Sequence, residues 1–166
     1  MKAWHFLRAD LTAGSGTEEP WIVGEKRSMR GNISLCVRGY HSSPTPWDAL
    51  QYAPGPMLCE VEVSRPAAKD TNKQVSRSRT LIRYVDVTRV LHDLACRCEE
   101  DVLPLFEKQY PTDKRPRTAI ETKRRWLQGK ATDEELNAAS AAAWATARAT
   151  ASAAAWATAW ATAWAT

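Results

Sequence analysis

Apolar and polar positions alternate through the first half of the chain and then change period. Lys2–Leu7 alternates and is aromatic, and Met57–Val63 interleaves Leu58, Cys59, Val61 and Val63 with Glu60 and Glu62, so both are predicted strands. Residues 21–23, 33–37 and 80–85 read as shorter strands. Gly14, Ser15, Gly16 and Pro20 mark a loop, and residues 40–46 a turn cluster. Residues 47–52 read as one or two helical turns, stopped by Ala53-Pro54-Gly55-Pro56. Residues 65–78 are polar and basic and are predicted to be a mobile connection. From Asp86 the period becomes helical. Val87, Val90, Leu91, Leu94 and Ala95 recur at i, i+3, i+4 behind a good N-cap, in a helix predicted to reach Phe106 with a kink at Pro104. Residues 117–128 form a second predicted helix carrying Ile120, Trp126 and Leu127, ended by Gly129.

The last segment is of a different kind. Thr132 and Glu135 have capping-box spacing, and the acids that follow Thr132 suit a helix N-terminus. Beyond them the chain is mostly Ala, the best helix former, with Trp144, Trp156, Trp160 and Trp164 as its large apolar residues. Spacing by four advances about 40° past each full turn, so the indoles trace a winding stripe, and any supercoil they drive is right-handed. An indole left wet forgoes burial of roughly 150–250 Å², so the stripe is expected to be covered by another copy, by a partner or by the chain itself. A frayed tail of tandem Ala-Trp-Ala-Thr units is the passive alternative. These shifts predict an α+β protein. A small, mostly antiparallel sheet domain occupies residues 1–85, a helical module 86–130 and an Ala/Trp-repeat helix 131–166.

Composition narrows the setting. The 166 residues carry a formal charge of +4, and the excess is concentrated. Residues 64–84 hold six basic residues against Asp70, and residues 108–130 hold eight against Asp113 and Glu121. Such segments attract phosphates or acidic protein surfaces, or are simply solvated faces. The cysteines are few, and neither an apolar leader nor a membrane-length apolar run is visible, so a cytoplasmic protein with free thiols is expected, in the host cytoplasm if the chain is phage-encoded.

No phosphate loop, dinucleotide fingerprint or metalloprotease motif is present. His92, Cys96 and Cys98 share one predicted helix, but their spacing suits a half-buried trio, and no cofactor is expected. His41 beside Ser42 and Ser43 admits a nucleophile reading or an ordinary surface combination. Further along, Asp48-Ala-Leu-Gln-Tyr52 begins a short helix, followed by the strand with Glu60 and Glu62. Together with His5 on the first strand, this order resembles the ADP-ribosyltransferase layout. The resemblance implies that His5 and Tyr52 hold the nicotinamide ribose and ring of NAD and that Glu60 or Glu62 polarises the ribose. The Glu, however, follows the Tyr segment directly rather than lying on a later strand. A structural turn whose His41 and aromatics fill a small core is the other reading.

Two further resemblances rest on quoted residues. Lys2-Ala-Trp4, Cys36-Val-Arg-Gly-Tyr-His41, Pro46-Trp-Asp-Ala-Leu-Gln-Tyr52 and Glu60-Val-Glu-Val63 are similar to an uncharacterised family of phage and prophage proteins, which implies no activity. Residues from about 89 to 130, through Cys98-Glu-Glu-Asp-Val-Leu-Pro-Leu-Phe-Glu107, Tyr110-Pro-Thr-Asp-Lys-Arg-Pro116, Ala119-Ile-Glu121 and Trp126-Leu-Gln-Gly-Lys130, resemble the helical module of bacterial immunity proteins. That second resemblance implies neutralisation of a toxin or effector by binding. The expected function is therefore an accessory protein of a phage or mobile element that binds and inhibits or modulates a host factor. The expected partner is a host protein or defence complex, met through Trp144, Trp156, Trp160, Trp164, Arg77, Arg79, Arg83, Lys123, Arg124 and Arg125. Alternatives are a transferase-like or nucleotide-binding protein and a structural protein self-associating through its last helix. Nucleic acid is permitted by the basic segments, and no membrane partner is expected.

Overall fold

The computed structural model describes residues 1–14 and 18–163, with 149–163 described by backbone alone. The chain is α+β, and it divides into two units, Met1–Thr88 and Arg89–Thr166.

The first unit holds two antiparallel sheets. β1 (Lys2–Leu7), β4 (Met57–Val63), β7 (Ser78–Asp86) and β2 (Lys26–Ser28) form one, in the order β1-β4-β7-β2. β3 (Tyr40–Ser42), β6 (Gln74–Ser76) and β5 (Pro66–Lys69) form the other, in the order β3-β6-β5. Register explains the alternation read from sequence. Ala3 lies opposite Val61, His5 opposite Cys59 and Leu7 opposite Met57, so one face of β1 and β4 is apolar. That face joins Trp21, Tyr40, Val63 and Leu81 in the core. A bulge between Glu60 and Val61 shifts the pairing with β7. The two sheets meet where Trp4 and Ser43 exchange backbone hydrogen bonds of 2.8 Å in both directions.

Three expectations for this unit change. Residues 65–78 form the ordered β5–β6 hairpin rather than a mobile connection, because Gln74, Val75 and Ser76 are buried against β3. Residues 33–37 are no strand. Ser34 and Arg38 exchange 2.9 Å backbone bonds that close a tight turn, with Cys36 at φ 63°. Residues 21–23 are also irregular; the extended residues there are Lys26–Ser28.

In the second unit α2 (Thr88–Gln109) contains Pro104, α3 is Arg115–Leu127 and α4 is Asp133–Ala163. Asp86 accepts from the Thr88 amide at 2.8 Å just before α2 starts. The capping box of α4 forms: the Thr132 hydroxyl accepts from the Glu135 amide (3.2 Å), and Glu135 accepts from the Thr132 amide (2.8 Å). α3 packs along α4. Ion pairs clasp α2 to α3: Arg124 meets Asp93 and Glu100, and Arg117 meets Glu107 at 2.6 Å. The His92 ring also meets Trp126 edge-on, with centroids 5.0 Å apart. Among the described residues no helix is long and apolar enough to cross a membrane.

Candidate functional site

One cavity lies in the first unit and another in the second. The first, about 330 Å³, is lined by His5, Cys36, His41, Ser42, Ser43, Ala49, Tyr52 and Lys73. The Trp4–Ser43 bridge creates it, because His5 and Ser42 are the chain neighbours of the bridged residues. α1 (Pro46–Leu50), capped by the Thr45 hydroxyl accepting from the Asp48 amide, delivers Ala49 and leads into Tyr52. The β5–β6 turn is tied to that segment: the Tyr52 hydroxyl donates to Asn72 (2.8 Å), and Asn72 donates to Gln51 (2.9 Å). The same turn carries Lys73, whose ammonium lies 5.2 Å from the Tyr52 ring centroid. The Cys36 thiol beside that ammonium raises the Lys73 pKa.

Electrostatics in this cavity are one-sided. Its lining contains a lysine and no carboxylate. Behind it Arg79 is only 3% exposed; its guanidinium lies 4.2 Å from the Trp21 ring centroid and 5.3 Å from that of Tyr40, and donates to the His41 carbonyl at 3.0 Å. Burial pulls the Arg79 pKa down to about 10, which leaves the group charged at neutral pH. Burial, then Arg79 and then His41, hold the His5 pKa well below the usual imidazole value, so His5 is neutral. His5 is partly exposed as a residue, yet its Nε2 is buried and has no hydrogen-bond partner among the described residues. His41 is held down mainly by burial, against the pull of the Gly39 carbonyl. Its Nε2 accepts from the Cys36 amide at 2.8 Å.

These positions decide several sequence expectations. His5 and Tyr52 do share a cavity. Glu60 and Glu62 do not join them: they sit on the opposite face of β4 from Cys59, the residue that pairs with His5. Glu60 is instead held by Lys2 (2.9 Å) and Arg83 (2.6 Å). The strand alternation that made them attractive in sequence is what turns them away, so the transferase layout is not assembled. His41 is no base for Ser42 or Ser43, since its Nε2 is committed to a backbone amide.

The second cavity, about 370 Å³, runs between α2, α3 and α4. Val102 and Phe106 of α2, Ile120 and Lys123 of α3, and Ala143 and Trp144 of α4 line it. Trp144 is 68% exposed, and on α2 Leu105, outside the lining, is 72% exposed. The ion pairs hold one stripe of α2 toward α3 and leave Val102, in the groove, and Leu105 exposed. Ala143 contributes no bulk beside the indole, so the groove stays open.

Of the basic residues expected to meet a partner, most have internal roles. Arg79 is buried, which removes it from any contact surface. Arg77 donates to the carbonyls of Met29 (3.2 Å) and Gly31 (2.8 Å). Arg83 pairs with Glu60, and Arg124 is spent on Asp93 and Glu100. Lys123 lines the groove, and exposed Arg125 makes only a 3.4 Å contact with Glu135. The side chains of Trp156 and Trp160 and the whole of Trp164 lie outside the described residues. His92, Cys96 and Cys98 do not converge; Cys96 is buried and Cys98 exposed, and among the described residues no three His, Cys, Asp or Glu are grouped to hold a metal.

Residues 1–93, more than half of the chain, match the family model described as a domain of unknown function, DUF7666. The chain belongs to the DUF7666 family. Residues 87–166 match a second model, described as "Imm-5 like putative immunity protein". No curated protein and no solved structure is significantly similar to the chain. The DUF7666 part therefore carries the His5 cavity. The groove lies in the part similar to immunity proteins.

Proposed function

We propose that the chain is a binding protein of the immunity type, carried by a phage or mobile element, which occupies a host toxin, effector or defence factor and suppresses it. One observation supports the reading most: an open apolar groove, with Trp144 at its edge and Lys123 inside it, in the unit similar to immunity proteins. A large, exposed indole beside small residues is the arrangement that anchors a partner side chain, and Lys123 and Glu99, which both line the groove, offer one charge of each sign to orient it. The basic segments contribute less than their charge suggests, because Arg79, Arg83 and Arg124 are satisfied within the chain.

Affinity capture from host lysate with the intact chain and with Trp144→Ser tests the proposal. The expected result is a protein retained by the wild type, lost with the variant and able to rebind when purified. Equal recovery by both, or none above background, refutes it. Self-association through α4 is the second reading, favoured by the exposed indole flanked by Ala141 and Ala145. A concentration-independent monomer mass by light scattering removes it.

A further inference from the structure

We infer that the cavity of the first unit is a binding site for a compact planar organic phosphate, a monoester of about nucleoside monophosphate size. The inference is independent of the partner-binding proposal, which rests on the other unit.

Charge selects the sign of the ligand. Lys73 is the ionised group in the lining, and no carboxylate faces it there. Asp70, the nearest acid in the same turn, has its carboxylate engaged by the Thr71 amide at 2.8 Å. Arg79 adds a second, buried positive charge behind His5 and His41, partly offset by the Glu18 carboxylate, which does not line the cavity. The neutral imidazoles add no counter-charge. The cavity is therefore a positive pocket, and a cation is excluded.

Donors select the headgroup. The Ser42 hydroxyl accepts from Gln74 at 3.3 Å, which leaves its proton for a ligand. The Lys73 ammonium offers further donors. Hydroxyl and ammonium donors around one charge suit the three oxygens of a phosphate monoester better than the two of a carboxylate. Shape selects the body. The lining is mainly apolar, with Ala49 and the Tyr52 ring on one side, and a cavity of about 330 Å³ is at the small end of ligand sites, too small for a dinucleotide. His5 supplies an independent sign that the protein alone does not complete the site. Its buried Nε2 has no hydrogen-bond partner among the described residues, and a buried polar atom is costly to leave unpaired unless something else meets it.

Titration calorimetry of the intact chain with adenosine 5′-monophosphate tests the site, with adenosine, inorganic phosphate and benzoate as separate arms at fixed ionic strength. Saturable one-site binding of the monophosphate is expected, with all three other probes weaker. Lys73→Met should weaken the monophosphate about ten- to a hundredfold, the ratio for losing one hydrogen bond to a charged group, while Lys73→Arg retains most of the affinity. Bound monophosphate should also slow alkylation of Cys36 in a Cys98→Ser background, where Cys36 is the remaining exposed thiol. Absence of saturable binding overturns the inference. So does binding that Lys73→Met leaves unchanged, tighter binding of benzoate than of the monophosphate, or alkylation of Cys36 indifferent to the ligand.

Discussion

Gly39 joins the 34–38 turn to β3, and a single methyl group there tests how tightly the second sheet closes. Its φ is +136°, and a Cβ would stand 2.3 Å from Val75 Cγ2 and 2.8 Å from Ile33 Cγ2. Val75 is fully buried on β6 and cannot retreat. Gly39→Ala therefore combines a backbone penalty of about 1–3 kcal/mol for a residue held in a glycine region with about 1–3 kcal/mol of overpacking, together about 2–6 kcal/mol. Gly24→Ala is the matched control. It too has positive φ, +86°, but nothing lies within 4 Å of its Cβ position, so it carries the backbone part alone. Urea unfolding read by hydrogen exchange of peptides from residues 1–88 measures both variants without interference from the tryptophans of the last helix. Gly39→Ala should lower the midpoint clearly more than Gly24→Ala, with the largest loss of protection in β3 and β6. Equal midpoints for the two variants would show that Val75 and Ile33 yield freely, and the packing argument would be wrong.

Acid should destabilise the first unit before its carboxylates titrate. Because the folded His5 pKa lies below the unfolded value near 6.5, the unfolded chain binds the extra proton, and stability falls as pH drops through about 6.5 toward the folded pKa, by at most about 1.4 kcal/mol per pH unit for one histidine. His5→Gln should flatten that limb in pH-dependent denaturation, and an unchanged limb would contradict it. Arg79→Met should remove the charge that helps depress His5, shifting the His5 NMR titration upward; loss of the His41 carbonyl contact and two cation–π contacts should cost about 2–4 kcal/mol in urea melts. In the second unit, Asp113 is held down to about 2 chiefly by Arg115, so Arg115→Gln should raise its NMR-measured pKa toward the ordinary carboxylate value. Thr132→Ala removes the α4 cap and should cost about 1 kcal/mol of helix stability, read as faster exchange of the Glu135 amide.

Much of the architecture was legible in local pattern. Alternation named β1 and β4 because a half-buried antiparallel strand needs one apolar face, and helical spacing after Asp86 named α2 for the analogous reason. The capping box at Thr132 was readable because it is a bond between residues three apart. What failed was whatever depended on a distant neighbour. The β5–β6 hairpin has the polar composition of a loop and becomes a sheet only because β3 covers it. The turn at Cys36 looks like a strand until Ser34 and Arg38 are seen to pair.

The sites divide the same way. Sequence alone established an α+β chain, the helix-forming tail, the charge excess and the chemical identities of His5, Tyr52 and Trp144. Tertiary structure decided which of those groups meet. It put His5, Tyr52 and Lys73 around one cavity, and it turned Glu60 and Glu62 to the far face. It also buried Arg79 among aromatic rings and left Trp144 at the rim of a groove. Strand and helix periods are set by covalent geometry within a few residues. Which face is covered, and by which charge, depends on contacts between segments tens of residues apart.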